Sequence, residues 1–269
     1  MGYERRNNPA LRFRDREAFI QFMNADQPAR PANIANIVAI NQGRRPLSME
    51  LPRVPALATS SFAELMAQGH IVIDTRSSAD FGAGHVPQAY NIHLSSPEFE
   101  QRVGWVAPAD VPMLLVLDND LQAARALRAL AFLGLDWRVK GCLAGGMGAW
   151  CAGGQPQSDL PQTSVQELHE RLTTGNDITV LDVRESAEWN AGHIEGAHLV
   201  SYRLLAEQLD QFPLSRDSSI AVICHSGTRS STASSILKRR GFTGVVNVSG
   251  GMQAWEAAKL PVVSGPRQA

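Results

Sequence analysis

Residues 177–200, DITVLDVRESAEWNAGHIEGAHLV, decide the fold because the chain contains them twice: HIVIDTRSSADFGAGHVPQAYNI, at 70–92, repeats the pattern. Asp74 answers Asp182, Arg76 answers Arg184, and Gly84-His85 answers Gly192-His193, each 108 positions apart. A second anchor, LAGGMGAW at 143–150 against VSGGMQAW at 248–255, recurs at 105 positions, so the two copies differ by a net three residues between anchors. Self-similarity on this scale marks a duplicated structural unit, and 269 residues leave room for two of them.

Each copy reads as alternating helix and strand. Ser61 and Glu64 have the spacing of a capping box, Gly69 supplies a stop, and IVID (71–74) follows as a strand; Ser164, Glu167, Gly175 and ITVLD (178–182) repeat the sequence of signals. The nearly continuous apolar runs MLLVL (113–117) and IAVI (220–223) suit strands buried on both faces of a parallel sheet. The expected fold class is α/β, with two tandem domains, each a small parallel sheet carrying helices on both faces. Gly, Pro, Gln and Ser displace periodic hydrophobicity in CAGGQPQSDLPQTS (151–164), which predicts the seam there. The expected division is an N-terminal arm, 1–55, a first domain, 56–156, and a second, 157–269.

Composition narrows the function classes. A net charge of −1 gives no general pull toward nucleic acid or an anionic membrane, and the basic cluster Arg5, Arg6, Arg12, Arg14 and Arg16 reads as a solvated face. Three cysteines, at 142, 151 and 224, with no Cys-x-x-Cys pair, argue against a disulfide framework or a thiolate zinc site and for a reducing, cytoplasmic setting. The opening MGYERRNNPA lacks the apolar segment of an export signal, and no run of about 18 apolar residues occurs, so neither export nor membrane spanning is expected. None of the seven histidines forms an H-x-H or H-x-x-x-H pair, and no Gly-rich nucleotide loop is present; no metal or cofactor is expected.

The chemistry points to AVICHSGTRSSTASSILKRRGF, residues 221–242. Cys224 ends an apolar strand, and ligands of open parallel sheets gather beyond the carboxyl ends of strands. A tight turn and a helix start follow it, and their free N–H groups form a cradle for an anion. Arg229 adds a full positive charge where turn meets helix. A lone cysteine is more often a small hydrophobe closing a strand, but that role needs no Gly-containing turn and no guanidinium aimed at the sulfur. A nucleophilic thiolate is the expected result.

The combination LDVRE, AGHIEGA, CHSGTRS and SGGMQAW, in this order, closely resembles the rhodanese domains, sulfurtransferases of small α/β fold, and the resemblance covers roughly residues 56–262 as two copies. It implies that Cys224 accepts sulfur as a persulfide. His225, Ser226, Gly227, Thr228, Arg229 and Ser230 would form the substrate loop, with Arg229 on the anionic part of the donor. The donor would be thiosulfate or a low-molecular-weight persulfide, and the acceptor cyanide, sulfite or glutathione. Four residues separate Cys224 from Arg229; related phosphatases and arsenate reductases carry five, a wider cradle for a tetrahedral oxyanion, so their chemistry is a minor alternative.

In the first copy LVLD aligns with AVIC, which puts Asp118 in the place of the cysteine and Asp120 beside it, and a carboxylate cannot carry sulfane sulfur. The first domain is therefore expected to be inactive; Cys142 and Cys151 fall near the last strand and after the GGMGAW helix and do not rescue it. Asp182, Arg184 and His193 recur as Asp74, Arg76 and His85 in the copy without a nucleophile, which favours a structural role near the site. His225 could favour the thiolate or face solvent, and Arg203 could line the pocket mouth as a second anion contact.

Residues 1–55 belong to neither copy. REAFIQFM (16–23) is expected to be helical, QPARPANI (27–34) extended or turning, and the segment an arm on the first domain. The segment also resembles the end of the metallo-β-lactamase-like domain of persulfide dioxygenases, without that domain's metal-binding motif. The resemblance implies a persulfide dioxygenase as a possible partner and a second hypothesis, a persulfide carrier or docking module.

Overall fold

The computed structural model of the chain describes residues 2–25, 30–31, 33–45, 54–175, 177–209 and 214–265. It divides into two units, residues 1–30 and 31–269. In the first unit, the expected helix spans Arg16–Asn24, its start fixed by the Asp15 carboxylate, which accepts the Ala18 N–H at 2.8 Å. Phe19, Ile20 and Met23 on this helix are exposed. Half of the stretch expected to turn after it, residues 27–29 and 32, lies outside the described residues.

The second unit carries two five-stranded parallel sheets. In the first copy the strands are β1 (Ala56–Leu57), β2 (Ile71–Asp74), β3 (Tyr90–Asn91), β4 (Met113–Val116) and β5 (Val139–Leu143), in the order β1-β5-β4-β2-β3. The second copy repeats that order as β6-β10-β9-β7-β8, where β6 is Gln162–Thr163, β7 Thr179–Asp182, β8 His198–Leu199, β9 Ile220–Ile223 and β10 Val245–Val248. The central strands β4 and β9 are buried along their whole length, as their unbroken apolar runs require. No helix among the described residues is long and apolar enough to cross a membrane.

The expected capping box forms at Ser164–Glu167, with the Ser164 Oγ accepting the Glu167 N–H at 3.1 Å and the Glu167 carboxylate accepting the Ser164 N–H at 2.8 Å. Its counterpart does not form. The first-copy helix is Thr59–Ala67, entered at Ala58, because β1 pairs with β5 at Leu57↔Leu143 and delivers the chain to the helix start three residues ahead of Ser61. Gly69 and Gly175 both adopt positive φ beyond their helices, as their stop role demands.

The residues expected to be structural tie each sheet to its Ala-Gly-His turn. Arg184 makes a two-pronged contact with Asp182, at 2.6 Å for the shortest arm, and donates to the Gly192 carbonyl at 2.7 Å; Arg76 repeats this with Asp74 and Gly84 at 2.6 and 2.8 Å. The His193 ring stacks on Trp189 at 3.6 Å between centroids, and His85 stacks on Phe81 at 3.7 Å. The backbone after each copy returns to the same turn, Ser158 pairing with His85 and Val263 with His193. Leu160, inside the expected seam, is fully buried in the first copy's core.

The helix Thr228–Arg239 joins the copies. Its Ser231, Thr232, Ser234 and Ser235 are all buried, and three of them meet Asn91 on the edge strand β3: Ser231 Oγ donates to Asn91 Oδ1 at 2.5 Å, Thr232 Oγ1 to the Asn91 carbonyl at 2.7 Å, and the Asn91 N–H to Ser235 Oγ at 3.2 Å. Small hydroxylic side chains let the helix cover the open edge of the sheet while satisfying its polar groups. Arg239 lies over the Tyr90 ring at 4.1 Å, and apolar residues from both copies, among them Val200, Leu205, Ile236 and Leu237, merge into one core.

On the far side of the first copy, the helix Ile34–Asn41 holds Asn36 against Gly134, with Asn36 Nδ2 donating to the Gly134 carbonyl at 2.9 Å. This helix, within residues 1–55, thus touches the first copy.

Candidate active site

Cys224 follows β9 directly, at the carboxyl edge of the second sheet, and its side chain is fully buried. Two neighbouring turns shape the loop around it. Gly227 adopts φ +92° at the start of the helix, and a Cβ there would also press on the Gly250 nitrogen at 3.2 Å. Gly251, at φ +56°, is more tightly constrained, because a Cβ would lie 2.3 Å from the Cys224 carbonyl oxygen.

That close approach has an electronic consequence. The Met252 N–H donates to the Cys224 carbonyl at 2.8 Å and the Gln253 N–H to the His225 carbonyl at 2.9 Å. With both carbonyls drawn to the helix Gly251–Ala257, the trans peptide planes turn the N–H groups of His225 and Ser226 to the other side of the loop. The Gly227 N–H points at the sulfur, 3.2 Å from Sγ, and the buried Ser230 hydroxyl donates to it at 3.4 Å. The thiol is thus enclosed by donors, at the N-terminal end of a twelve-residue helix.

Arg229 departs from expectation. Its two terminal nitrogens donate to the Glu188 carboxylate at 2.7 and 2.6 Å, so the guanidinium fork braces the loop against the neighbouring helix Ser186–Ala191 instead of standing open to a donor. The Arg229 hydrogen bond holds the Glu188 carboxyl below its ordinary range, and the same bond raises Arg229. His225 and Ser226 are exposed, while Thr228 is half-buried. Arg203 sits where the copies meet, 3.4 Å from Glu185 and 3.8 Å from Glu98, with its guanidinium 5.6 Å from the ring centroids of both Trp105 and Tyr202.

Glu188 and Arg102 are absent from the sequence reading. Glu188 had a usable signal, since it replaces Asp80 at the 108-residue spacing. Arg102 had none: it comes from the first copy, on the helix Phe99–Val106, and its Nη1 donates to the Thr228 hydroxyl at 3.3 Å.

Among the described residues the first copy has no counterpart of this cradle, and strand register corrects which residue stands in for the cysteine. Asp182 pairs with Ile223, the residue before Cys224, and Asp74 pairs with Val116. The position equivalent to Cys224 is therefore Leu117, which is buried, and not Asp118, which is exposed. The three-residue difference falls partly before and partly after this point, so matching the sequence by its last strand residues slips by one. Asp118 instead accepts from Gln122 Nε2 at 3.3 Å in a short 3-10 turn. Burial, then Asp120, pushes the Cys142 thiol up to about 12, which leaves it inert; Cys151 is exposed.

A family model, the rhodanese-like domain, matches the chain at residues 58–153 and again at 164–258. Among curated proteins, the chain is 32% identical over 96 residues to the probable adenylyltransferase/sulfurtransferase MoeZ of Mycobacterium tuberculosis, covering 36% of this chain and 24% of that protein. It is 32% identical over 99 residues to a sulfurtransferase of Allochromatium vinosum, covering 37% of this chain and 91% of that one. The thiosulfate sulfurtransferase GlpE of Shewanella oneidensis is 31% identical over 101 residues, covering 38% and 97%. The chain thus spans about a quarter of the first relative and nearly all of the other two. Among solved structures, the rhodanese-like domain of an Anabaena protein is 30% identical, with a TM-score of 0.37 over 40% of this chain and 86% of that one.

Proposed function

The chain belongs to the rhodanese-like domain family, and from this premise we propose that it is a sulfurtransferase working by double displacement at Cys224. The Cys224 thiolate attacks the outer sulfur of thiosulfate; a sulfur–sulfur bond forms, the donor's own sulfur–sulfur bond breaks, and its electron pair leaves on sulfite. With a low-molecular-weight persulfide as donor, a thiolate leaves instead. A second nucleophile, such as cyanide, sulfite or glutathione, then takes the outer sulfur and returns the electron pair to Cys224. The Gly227 N–H and the Ser230 hydroxyl stabilise the anionic sulfur at both stages, while Arg229, held by Glu188, contributes positive potential and holds the loop in shape.

The observation that carries this reading is the pair of donors on Cys224 Sγ. In the same reading residues 56–156 form an inactive domain and 157–269 the active one, and a reducing cytoplasm suits the exposed thiol at Cys151 as well as the nucleophile. Intact-mass measurement after incubation with thiosulfate tests it: the chain gains one sulfur, and Cys224→Ser gains none. Absence of any gain with thiosulfate and with glutathione persulfide overturns it.

The exposed Phe19, Ile20 and Met23 favour a second role for the N-terminal segment, as a docking element for a persulfide dioxygenase. Co-purification of the full chain with such an enzyme, lost on Phe19→Ser with Ile20→Ser, supports that role; retention of the complex by the double variant removes it.

A further inference from the structure

Of Arg102, Arg203 and Arg229, two already have carboxylate partners. Arg229 is held by Glu188, and Arg203 lies between Glu185 and Glu98. Arg102 differs. It is 6% exposed, its Nη1 contacts only the neutral hydroxyls of Ser96 and Thr228, at 3.2 and 3.3 Å, and its Nε has no hydrogen-bond partner. Among the described residues no carboxylate comes within ion-pair distance of it.

A buried guanidinium without a counter-ion is costly, and a fold retains one where an anion completes it. Burial, and to a lesser extent Arg229, pulls Arg102 downward, and the opposing pull comes from Tyr202, then Cys224 itself, then the more distant Glu98 carboxylate; the guanidinium keeps its charge throughout. The Thr228 hydroxyl that it binds belongs to the loop between Cys224 and Arg229, so the charge is fixed to the rim of the thiol cradle.

We propose that Arg102, supplied by the copy that has no nucleophile, binds the anionic end of the sulfur donor at Cys224. This inference rests on the reading of Cys224 as sulfur acceptor and extends it to substrate class. The site is composite, and it favours a small donor whose leaving group is an oxyanion, as in thiosulfate, over a bulkier persulfide whose charges lie farther from the reacting sulfur. In the step itself Arg102 neutralises the negative charge gathered on departing sulfite and takes no proton.

The test uses the full chain with Arg102→Gln and Arg102→Lys, and two probes of Cys224. The first is the ratio of alkylation rates by iodoacetate, an anion, and iodoacetamide, its neutral analogue, read on the peptide containing Cys224. A changed thiolate fraction affects both reagents alike and cancels, so the ratio reports anion guidance alone. Arg102→Gln is expected to lower the ratio about tenfold and to raise KM for thiosulfate about tenfold, the loss of one charge-assisted contact, with a smaller change for glutathione persulfide. Arg102→Lys restores most of the ratio. A folded glutamine variant whose ratio and KM stay within about twofold of the parent overturns the proposal. If the glutamine variant does not fold, Arg102→Lys decides: KM for thiosulfate should rise more than KM for glutathione persulfide, and equal changes overturn it. Should neither donor leave sulfur on Cys224, the proposed reaction fails, while the alkylation ratio still decides the role of Arg102.

Discussion

The two copies share a strand order, an Asp–Arg pair and a histidine stacked beneath each turn, yet they diverge at the single loop after the fourth strand of each sheet. In the second copy that loop wraps a buried thiol, with Gly227 and Ser230 donating to sulfur. In the first, Leu117 occupies the equivalent place, and the chain leaves through Asp118 and a 3-10 turn. What is duplicated holds the sheet together; what is not duplicated is where the proposed chemistry lies. The first copy nonetheless touches the site, through Asn91 on the helix that follows Cys224 and Arg102 on Thr228.

The strongest break in this comparison comes from paired glycine variants. In Gly251→Ala the new Cβ falls 2.3 Å from the Cys224 carbonyl, at a residue that also needs positive φ, so the loop must move and its donors leave the sulfur. Sulfur transfer should fall by about 100-fold, the scale for losing a preorganised donor. Gly146→Ala places its Cβ 3.0 Å from the Leu117 carbonyl; it should cost stability, read as a lower Tm, with kcat within about twofold of the parent. Equal loss of kcat in both variants would show that the two loops are not functionally distinct.

A smaller effect sharpens the role of Arg229. Glu188→Gln removes the charge that braces Arg229, and kcat/KM should fall about tenfold as the loop loosens. Asp80→Asn, at the matching place in the first copy, bonds only within its own turn, at Ser77, and should leave kcat/KM unchanged. A rise in thiosulfate affinity in Glu188→Gln would instead mean that Glu188 competes with the donor for Arg229.

A separate effect concerns stability and leaves catalysis untouched. Burial lowers His85 to about 4, against an ordinary value of 6.5. The folded ring is therefore neutral where the unfolded one is protonated, so its contribution is intact above about pH 6.5 and is lost as the pH falls toward 4. The loss is on the order of 3 kcal/mol, or about 9 °C in Tm for a chain of this size. Thermal melts of the parent and His85→Gln between pH 7 and 4 should show a shallower decline in the variant; parallel curves would exclude His85 as the source.

Much of this was legible in the sequence because it depends on local pattern. The repeat, the apolar runs of β4 and β9, the Ser164 capping box and the placement of Cys224 between strand and helix all rest on residues close together in the chain. The capping signal at Ser61 misled because strand pairing at Leu57, a long-range contact, set the helix start. The choice between Leu117 and Asp118 depended on distributing a three-residue difference, which strand register resolves and residue matching cannot. Glu188 and Arg229 are brought together across 41 positions, and Arg102 and Thr228 across 126. The buried serines after Cys224 find their partners on Asn91 of the other copy, a contact that no local pattern announces.

The central claim is that one loop of two carries the reaction, and direct mapping of sulfane sulfur tests it. After thiosulfate treatment and alkylation of the remaining thiols, peptide mass spectrometry should find the added sulfur on Cys224 alone, with one equivalent per chain and none on Cys142 or Cys151. Sulfur distributed over the three cysteines, or resident on Cys151 with Cys224 unmodified, would contradict the account.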